Sequence, residues 1–503
     1  MSPRRATLRP MTLDPSICYE ALKSRDRRFE GRFVVGVRTT GIYCRPGCPA
    51  RTPRRDHVRF YATPAAAEEA GFRPCLRCRP ETAPSSAAWQ GTQATVTRAL
   101  RLLAHEPAAA QDLARLAERL GIGPRHLRRL FGEHVGASPR AVVQSSRAHF
   151  ARRLLEETDL PLETIAVTAG YGSARRFRAA MGTAFGRAPG RLRGPRPGMT
   201  ASTIAAAGER PIELTLPYVP PYDWDAVLAY RAARAIPGVE VIDGDRYRRT
   251  IDGGVLEVAP AVTGTRMNDR PALVLRLWLP EANGLDRLVA RARRMLDLEA
   301  DPGAIADHLG HDRSLAGRVA RRPGMRIPGA WDPFELAVRA VLGQQVSVAA
   351  ATTLAGRLIT AFGTPLTAPG ATGLTHAFPS AARLADAGEA RIGAIGLTRA
   401  RAATIAGLSR AVADRTLVLD GARGLDAAIA AMCALPGIGP WTAHYVALRG
   451  LLEPDAFPAG DLGLRKALAP RGAGPISESA LLARAERWRP WRGYAAIHLW
   501  HGV

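Results

Sequence analysis

The chain has 503 residues, of which 47% are hydrophobic, and a formal net charge of +25. That length implies about three or four domains, the apolar fraction is ample for several packed cores, and no apolar run reaches membrane-spanning length. The charge is uneven: residues 1–200 carry 35 basic and 16 acidic side chains against 35 and 29 in residues 201–503, so the front of the chain reads as a surface for a polyanion. All the cations except Lys23 and Lys466 are Arg, a compositional bias that carries no functional reading. The first ten residues lack the apolar stretch of a secretion signal. Four clustered and two scattered cysteines do not make a disulfide framework, so a reducing, cytoplasmic compartment is expected.

Residues 10–88 form a cysteine module. Cys44 and Cys48 are spaced C-x3-C, and Cys75 and Cys78, after 26 intervening residues, are spaced C-x2-C. Two short ligand pairs joined by a loop are what a tetrahedral Zn²⁺ asks of four thiolates. The flanks Val37–Cys48 and Gly71–Pro80 contain Arg and no acid. A buried structural zinc does not require such a coat, whereas a cluster pressed against phosphates does, which makes the metal site a candidate DNA site. Cys18 and Cys433 read as small buried apolar residues.

Residues 93–190 are helical by pattern and contain one unit twice. Leu113, Leu116, Ala117 and Leu120 fall at helical spacing, Gly121-Ile-Gly-Pro makes a turn, and a second helix opens with Pro124 in its first turn. About fifty residues on, Ile165–Ala169 is followed by Gly170-Tyr-Gly-Ser and a helix opening at Ala174. Helix, Gly-containing turn, Arg-rich helix, repeated, is a tandem helix-turn-helix. Leu127, Leu130, Phe131 and Phe177 would face the core, leaving Arg125, Arg128, Arg129, Arg175, Arg176 and Arg178 outward for DNA. A generic helical bundle would explain the periodicity but not the repeated Arg bias.

Residues 191–211 are a Pro/Gly/Arg/Ala linker. Residues 212–284 alternate like strands at Ile212–Leu216, Tyr247–Leu256 and Ala272–Leu279, with a helical stretch at 224–235, and so predict a small α+β domain. Residues 285–503 are helical by pattern. Within them Leu435-Pro-Gly-Ile-Gly-Pro-Trp441 makes a tight hairpin between two helices, whose exposed amides, with Gly437 and Gly439, can bind a phosphate. Asp461 follows sixteen residues after Tyr445.

Hairpin plus downstream Asp resembles the helix-hairpin-helix DNA glycosylases. In that superfamily, members that also nick the strand keep a Schiff-base Lys where Trp441 stands here, so no amine nucleophile is available at that place. Only Cys433 follows residue 78, which excludes the four-cysteine iron–sulfur cluster of several relatives. The aromatics Trp441, Tyr445, Trp488, Trp491, Tyr494 and Trp500 suit a pocket for a cationic alkylated base, although some must be core.

Two resemblances cover almost the whole chain. Residues 10–190 look like the front of the adaptive-response regulator (Ada) family, a zinc module followed by an AraC-type helix-turn-helix pair. Residues 212–503 resemble the AlkA glycosylases through Pro220–Trp224, Arg326–Gly329, Val341–Ser347, Leu435–Ala443 and Trp488–Tyr494. The resemblance implies a mainly α multidomain protein with α+β parts. Its expected activities are transfer of a methyl group from a DNA methylphosphotriester to Cys44, transcriptional activation with RNA polymerase as partner, and excision of 3-methyladenine- and 7-methylguanine-type bases. It further implies DNA contacts at Thr40, Arg51 and Arg73, a catalytic carboxylate at Asp461, base-pocket aromatics at Trp441, Tyr445 and Trp500, and a wedge into the flipped nucleotide's gap at Gln345. Pro49 stands where the Ada family often has Arg, and Gln345 replaces an apolar wedge. The Pro-Cys-His-Arg methyltransferase motif is absent, so repair of O6-alkylguanine is not expected. Two rival readings remain at this level: a transcription factor whose C-terminal part only senses or clamps DNA, and a glycosylase whose front half only adds DNA affinity.

Overall fold

The computed structural model describes residues 14–26, 29–78, 80, 91–193, 210–261, 271–282, 284–366, 372–470 and 472–501. The fold class is multidomain and mainly α with small sheets. The chain divides into two compact units, residues 1–202 with 282–290 and residues 203–281 with 291–503.

In the first unit, a four-stranded sheet runs in the order Val58–Tyr61, Val34–Val37, Ile42–Cys44, Arg73–Pro74. Its central strand buries alternate residues on opposite faces. Val35 packs with Phe33, Cys18 and Leu22, while Val34 packs with Tyr43, Tyr61 and Ala67. Cys18 is fully buried as expected, whereas Cys433, expected to be buried too, is only half-buried. The helices that follow include Leu113–Arg119, Pro124–His134, Pro139–Glu157, Leu162–Thr168 and Ala174–Phe185. Leu116, Leu127, Leu130, Phe131, Ile165 and Phe177 are buried, and Arg125, Arg128, Arg129, Arg175, Arg176 and Arg178 are exposed. Pro124 and the Ser173 side chain start the two Arg-rich helices.

The second unit opens with a five-stranded antiparallel sheet in the order Ile212–Pro217, Ala272–Trp278, Gly254–Pro260, Arg246–Ile251, Glu240–Asp243. The stretch read as one strand, Tyr247–Leu256, is a hairpin that turns at Asp252-Gly253, where Gly253 takes φ 75°. Alternation continued across the turn hid the break, although Asp-Gly is itself a hairpin signal. The remaining helices enclose one continuous core that runs from Ile236 and Val239, beside the sheet, to Leu499. Arg249 of the sheet pairs with Glu335 at 2.7 Å, and Arg339 pairs with Glu240 at 2.8 Å. These buried pairs fix the sheet against helix Pro333–Leu342, which runs into the turn at Gln345. Removing one partner would strand a buried charge.

Candidate functional site

The strand register delivers the first unit's site. Ile42–Cys44 pairs in parallel with Arg73–Pro74, Ile42 opposite Arg73 and Tyr43 opposite Pro74, and Cys75 N–H donates to Tyr43 O at 3.0 Å. Cys44 and Cys75 therefore leave adjacent strands side by side. Cys48 and Cys78 close the cluster, and all four sulfurs lie within 4.8 Å of one another. Four thiols this close compete for ionisation: hydrogen bonds from Cys44, Cys48 and Cys78 hold Cys75 low, whereas those with Cys48 and Cys75 push Cys44 up. A divalent ion resolves that conflict by accepting all four as thiolates, and zinc, bound at about 2.3 Å to each sulfur, fits the spacing.

Cys48 and Cys78 are buried, while Cys44 and Cys75 are partly exposed. Thr40, Arg51 and Arg73, each near a cysteine ligand in sequence, are exposed. Thr40 Oγ1 donates to Val37 O at 3.4 Å, and the Arg73 guanidinium lies against Gly186, the left-handed cap of helix Ala174–Phe185. The basic coat is partly neutralised from within. Arg45, between the first two ligands, is buried and paired with Glu30 at 2.8 Å, a partner supplied from outside the acid-free stretch. Arg129 is paired with Glu133 at 3.1 Å.

The second unit's site is a cavity of about 720 Å³ lined by Trp441, Tyr445, Asp461 and Trp500. Trp441, Tyr445 and Arg449 recur every four residues on helix Pro440–Arg449 and so share a face. Trp441 stacks on Tyr445 with centroids 5.3 Å apart at 11°, and Trp500 meets Tyr445 edge-on at 6.3 Å. Asp461 accepts from Trp441 Nε1 at 3.0 Å and from Trp500 Nε1 at 2.9 Å. It also caps helix Leu462–Ala467 through Leu464 N–H at 2.9 Å. A structural capping carboxylate and a cavity carboxylate are the same residue here. Of the other aromatics, Trp488 and Tyr494 are core, tied to Asp312 and Asp297.

Gly437, at φ 84°, and Gly439 lie exposed on the hairpin between helices Leu425–Cys433 and Pro440–Arg449. A Cβ at Gly437 would overlap the Thr404 hydroxyl. Gln345 does not line the cavity. It is exposed on the turn beside it, at φ 56°, a left-handed conformation uncommon for a long side chain and often stored at functional sites. Its neighbour Gln344 donates to Gly437 O at 3.0 Å and Thr442 Oγ1 at 3.3 Å, joining this turn to the hairpin. Sequence reasoning missed Gln344, Tyr230 and Arg449. Arg449 was legible as the next residue on the Trp441–Tyr445 face. Tyr230, 215 residues from Tyr445, was not.

Residues 17–81 match the family described as "Metal binding domain of Ada", residues 116–194 "Helix-turn-helix domain", residues 213–332 "AlkA N-terminal domain" and residues 338–492 "HhH-GPD superfamily base excision DNA repair protein". The chain is 43% identical over 488 residues to the "Probable bifunctional transcriptional activator/DNA repair enzyme AlkA" of Mycobacterium tuberculosis, covering 96% of this chain and 95% of that protein. It is 35% identical over 288 residues to "DNA-3-methyladenine glycosylase 2" of Escherichia coli, covering 57% of this chain and 96% of that one. It is 38% identical over 159 residues to the "Bifunctional transcriptional activator/DNA repair enzyme Ada" of Escherichia coli, covering 32% and 43%. No helix among the described residues is long and apolar enough to cross a membrane. With its zinc-type cysteine cluster, its repeated helix-turn-helix and its hairpin-framed aromatic cavity, the chain belongs to the family of bifunctional transcriptional activator/DNA repair proteins that join an Ada-type region to an AlkA-type DNA glycosylase.

Proposed function

We propose that the second unit excises bases alkylated at a ring nitrogen, of the 3-methyladenine and 7-methylguanine type, and leaves the strand uncut. The observation that carries this reading is the Asp461 carboxylate, held by two indole N–H groups on the wall of an aromatic cavity. The nucleotide is flipped so that its base enters the cavity against Trp441, Tyr445 and Trp500. Gln345 fills the vacated gap, and the Gly437 and Gly439 amides take a backbone phosphate. The glycosidic bond breaks with its electron pair leaving on the base, which already carries positive charge and needs no general acid. Asp461 stabilises the oxocarbenium-like sugar and directs water to C1′. Trp441 in place of an amine leaves no residue to form a Schiff base there. Incubating the protein with methylated DNA tests this. Free methylated purine should appear, with abasic sites that break only in alkali, and borohydride should trap no adduct. A trapped adduct would overturn the single-step hydrolysis.

The first unit is, on the same proposal, a methyl acceptor and activator acting in the cytoplasm with promoter DNA and RNA polymerase as partners. Bound zinc would keep Cys44, Cys48, Cys75 and Cys78 as thiolates. Cys44 Sγ attacks the methyl carbon of a methylphosphotriester, and the C–O bond breaks with its electron pair left on the phosphate oxygen, giving a thioether and a phosphodiester. The partial exposure of Cys44 favours it over Cys48 and Cys78. Thr40, Arg51 and Arg73 would hold the flanking phosphates, and Arg125, Arg129, Arg175 and Arg178 the promoter. Loss of one negative charge beside DNA strengthens binding. Peptide mass mapping after reaction with backbone-methylated DNA should place the methyl on Cys44, and methyl on Cys75 would overturn the assignment.

A further inference from the structure

One wall of the cavity is built from groups that the glycosylase reading does not use. Tyr230, on helix Trp224–Ala232, meets Tyr445 hydroxyl to hydroxyl at 3.1 Å. Arg449 donates a guanidinium proton to the same Tyr445 oxygen and its Nε proton to Pro328 O at 2.8 Å. Its guanidinium also lies 4.5 Å from the Tyr230 ring centre and 5.1 Å from that of Tyr445, and Arg234 lies 3.9 Å from the Tyr230 ring centre. All four residues line the cavity. Among the described residues neither Arg449 nor Arg234 pairs with a carboxylate, so the wall carries uncompensated positive charge.

Proton counting gives the wall its chemistry. Two hydroxyls hold two protons, and the bond between them uses one. The second proton stays uncommitted on whichever oxygen does not donate. Arg449 meanwhile fills an acceptor position on Tyr445. Burial pushes Tyr230 above its ordinary range, so it remains protonated. Burial alone would raise Tyr445 too, but Arg449 and the Tyr230 bond outweigh it and hold Tyr445 below its ordinary value. The wall therefore keeps one free hydroxyl proton beside two guanidinium groups.

We infer that Tyr230, Tyr445 and Arg449 form a specificity wall that selects damaged bases presenting a carbonyl oxygen at that edge and disfavours those presenting an exocyclic amine. A carbonyl accepts the spare hydroxyl proton and faces the positive charge. An amine turns its positive N–H edge toward that charge in a desolvated site, which is where pockets discriminate most strongly. The preferred substrates are then alkylated guanines, which carry a carbonyl at carbon 6, over alkylated adenines, which carry an amine there. The inference rests on the cavity being the base pocket of the proposed glycosylase.

The test uses the full chain and two free bases, 7-methylhypoxanthine and 7-methyladenine, which differ by carbonyl against amine at carbon 6 and, with it, by N1–H against a bare N1. Binding is followed by quenching of tryptophan fluorescence, since Trp441 and Trp500 line the same cavity. The wild type should bind the carbonyl base about tenfold more tightly, the worth of one well-placed hydrogen bond. Tyr230→Phe with Tyr445→Phe keeps both rings and should bring the two affinities within about twofold. In the same double variant the ratio of 7-methylguanine to 3-methyladenine release from methylated DNA should fall about tenfold. Equal quenching by both bases in the wild type, or equal slowing of both releases in the variant, would overturn the wall. If the wild type released no base while the quenching preference held, the glycosylase reading would fall and the wall would stand.

Discussion

Glu68 and His149 lie 2.7 Å apart although 81 residues separate them, and their contact joins the cysteine module to the long helix Pro139–Glu157 inside the first unit. Tyr43, the residue before the first zinc ligand, donates its hydroxyl to the same Glu68 oxygen at 2.8 Å. Thr63 Oγ1 donates to Val135 O at 2.7 Å beside them. Burial raises the Glu68 carboxyl, but the charge of His149 and hydrogen bonds from His149, Ser145 and Tyr43 outweigh that and leave it below its ordinary value. A carboxylate so held contributes stability that is complete above the unfolded value of about 4.3 and is lost as pH falls through the folded one. Glu68→Gln should lower the first unit's melting temperature, at about 2–4 °C per kcal/mol, at pH 7, and the gap from wild type should close at pH 3. A gap that stayed constant over that range would refute the electrostatic account.

The four-thiolate site carries its own test. The module's sheet has strands of four, three, four and two residues, too short to be held by strand pairing alone. Structural zinc in such a module contributes directly to folding. Purified, reduced protein should contain about one zinc per chain by elemental analysis. Cys75→Ala with Cys78→Ala should lose the metal and the first unit's cooperative melting transition while leaving base release unchanged.

How much of this was legible in sequence follows the length scale of each signal. Cysteine spacing, the Gly-x-Gly hairpin and the repeated Arg-rich helices are local patterns, and the structure assembles each where the pattern lies. The Cys44–Cys75 approach needed strand register, which no spacing encodes. Tyr230 against Tyr445, Glu68 against His149 and Glu30 against Arg45 are pairings set by packing between distant segments. Asp461 caps helix Leu462–Ala467 and also stands on the cavity wall beside Trp500, a placement set by packing. Tyr247–Leu256 failed for the opposite reason: a correct local alternation ran straight through a turn.

Buried His498 and half-buried His444 predict an acid limit for the second unit. Burial pushes His444 and His498 down to about 4, with nearby Arg492 adding to the effect at His444 and His501 and Arg318 at His498. His444 Nδ1 accepts the Phe457 N–H at 3.2 Å, which the protonated ring cannot do. The unfolded chain then binds more protons than the folded one between about pH 6.5 and 4, so stability is complete above about 6.5 and falls as pH drops through that window. Urea midpoints measured at about pH 7.5, 5.5 and 4.5 should decline in that order. In His444→Asn, whose amide oxygen can still accept from Phe457, the decline should be shallower. An unchanged slope would remove His444 from the account.

Gly437 tests the hairpin. Its φ of 84° and its contact with Thr404 leave no room for a side chain. Gly437→Ala should distort the loop that Gln344 ties to the neighbouring turn and weaken binding of undamaged DNA about tenfold or more. Gly472, also at positive φ, is the control: nothing lies within 4 Å of where an alanine methyl would sit, so Ala there strains only the local backbone.

Asp461→Asn tests the chemistry, but the amide is not a silent replacement. Asp461 Oδ1 accepts from Leu464 N–H and Trp500 Nε1, and Oδ2 accepts from Trp441 Nε1. An amide oxygen at the first position preserves the helix cap but turns its NH2 toward the Trp441 N–H, donor against donor. The substitution therefore removes the negative charge that stabilises the oxocarbenium ion and also loosens one indole. Base release should fall by about 10² or more, with binding of DNA carrying an abasic site nearly unchanged because the hairpin and Gln345 are untouched. Trp441→Phe separates the two effects: it deletes the indole donor, keeps a ring on Tyr445 and leaves the carboxylate, so it should slow release far less than Asp461→Asn. If the two variants were equally slow, the Trp441–Asp461 contact, and not the carboxylate's charge, would be what base release requires.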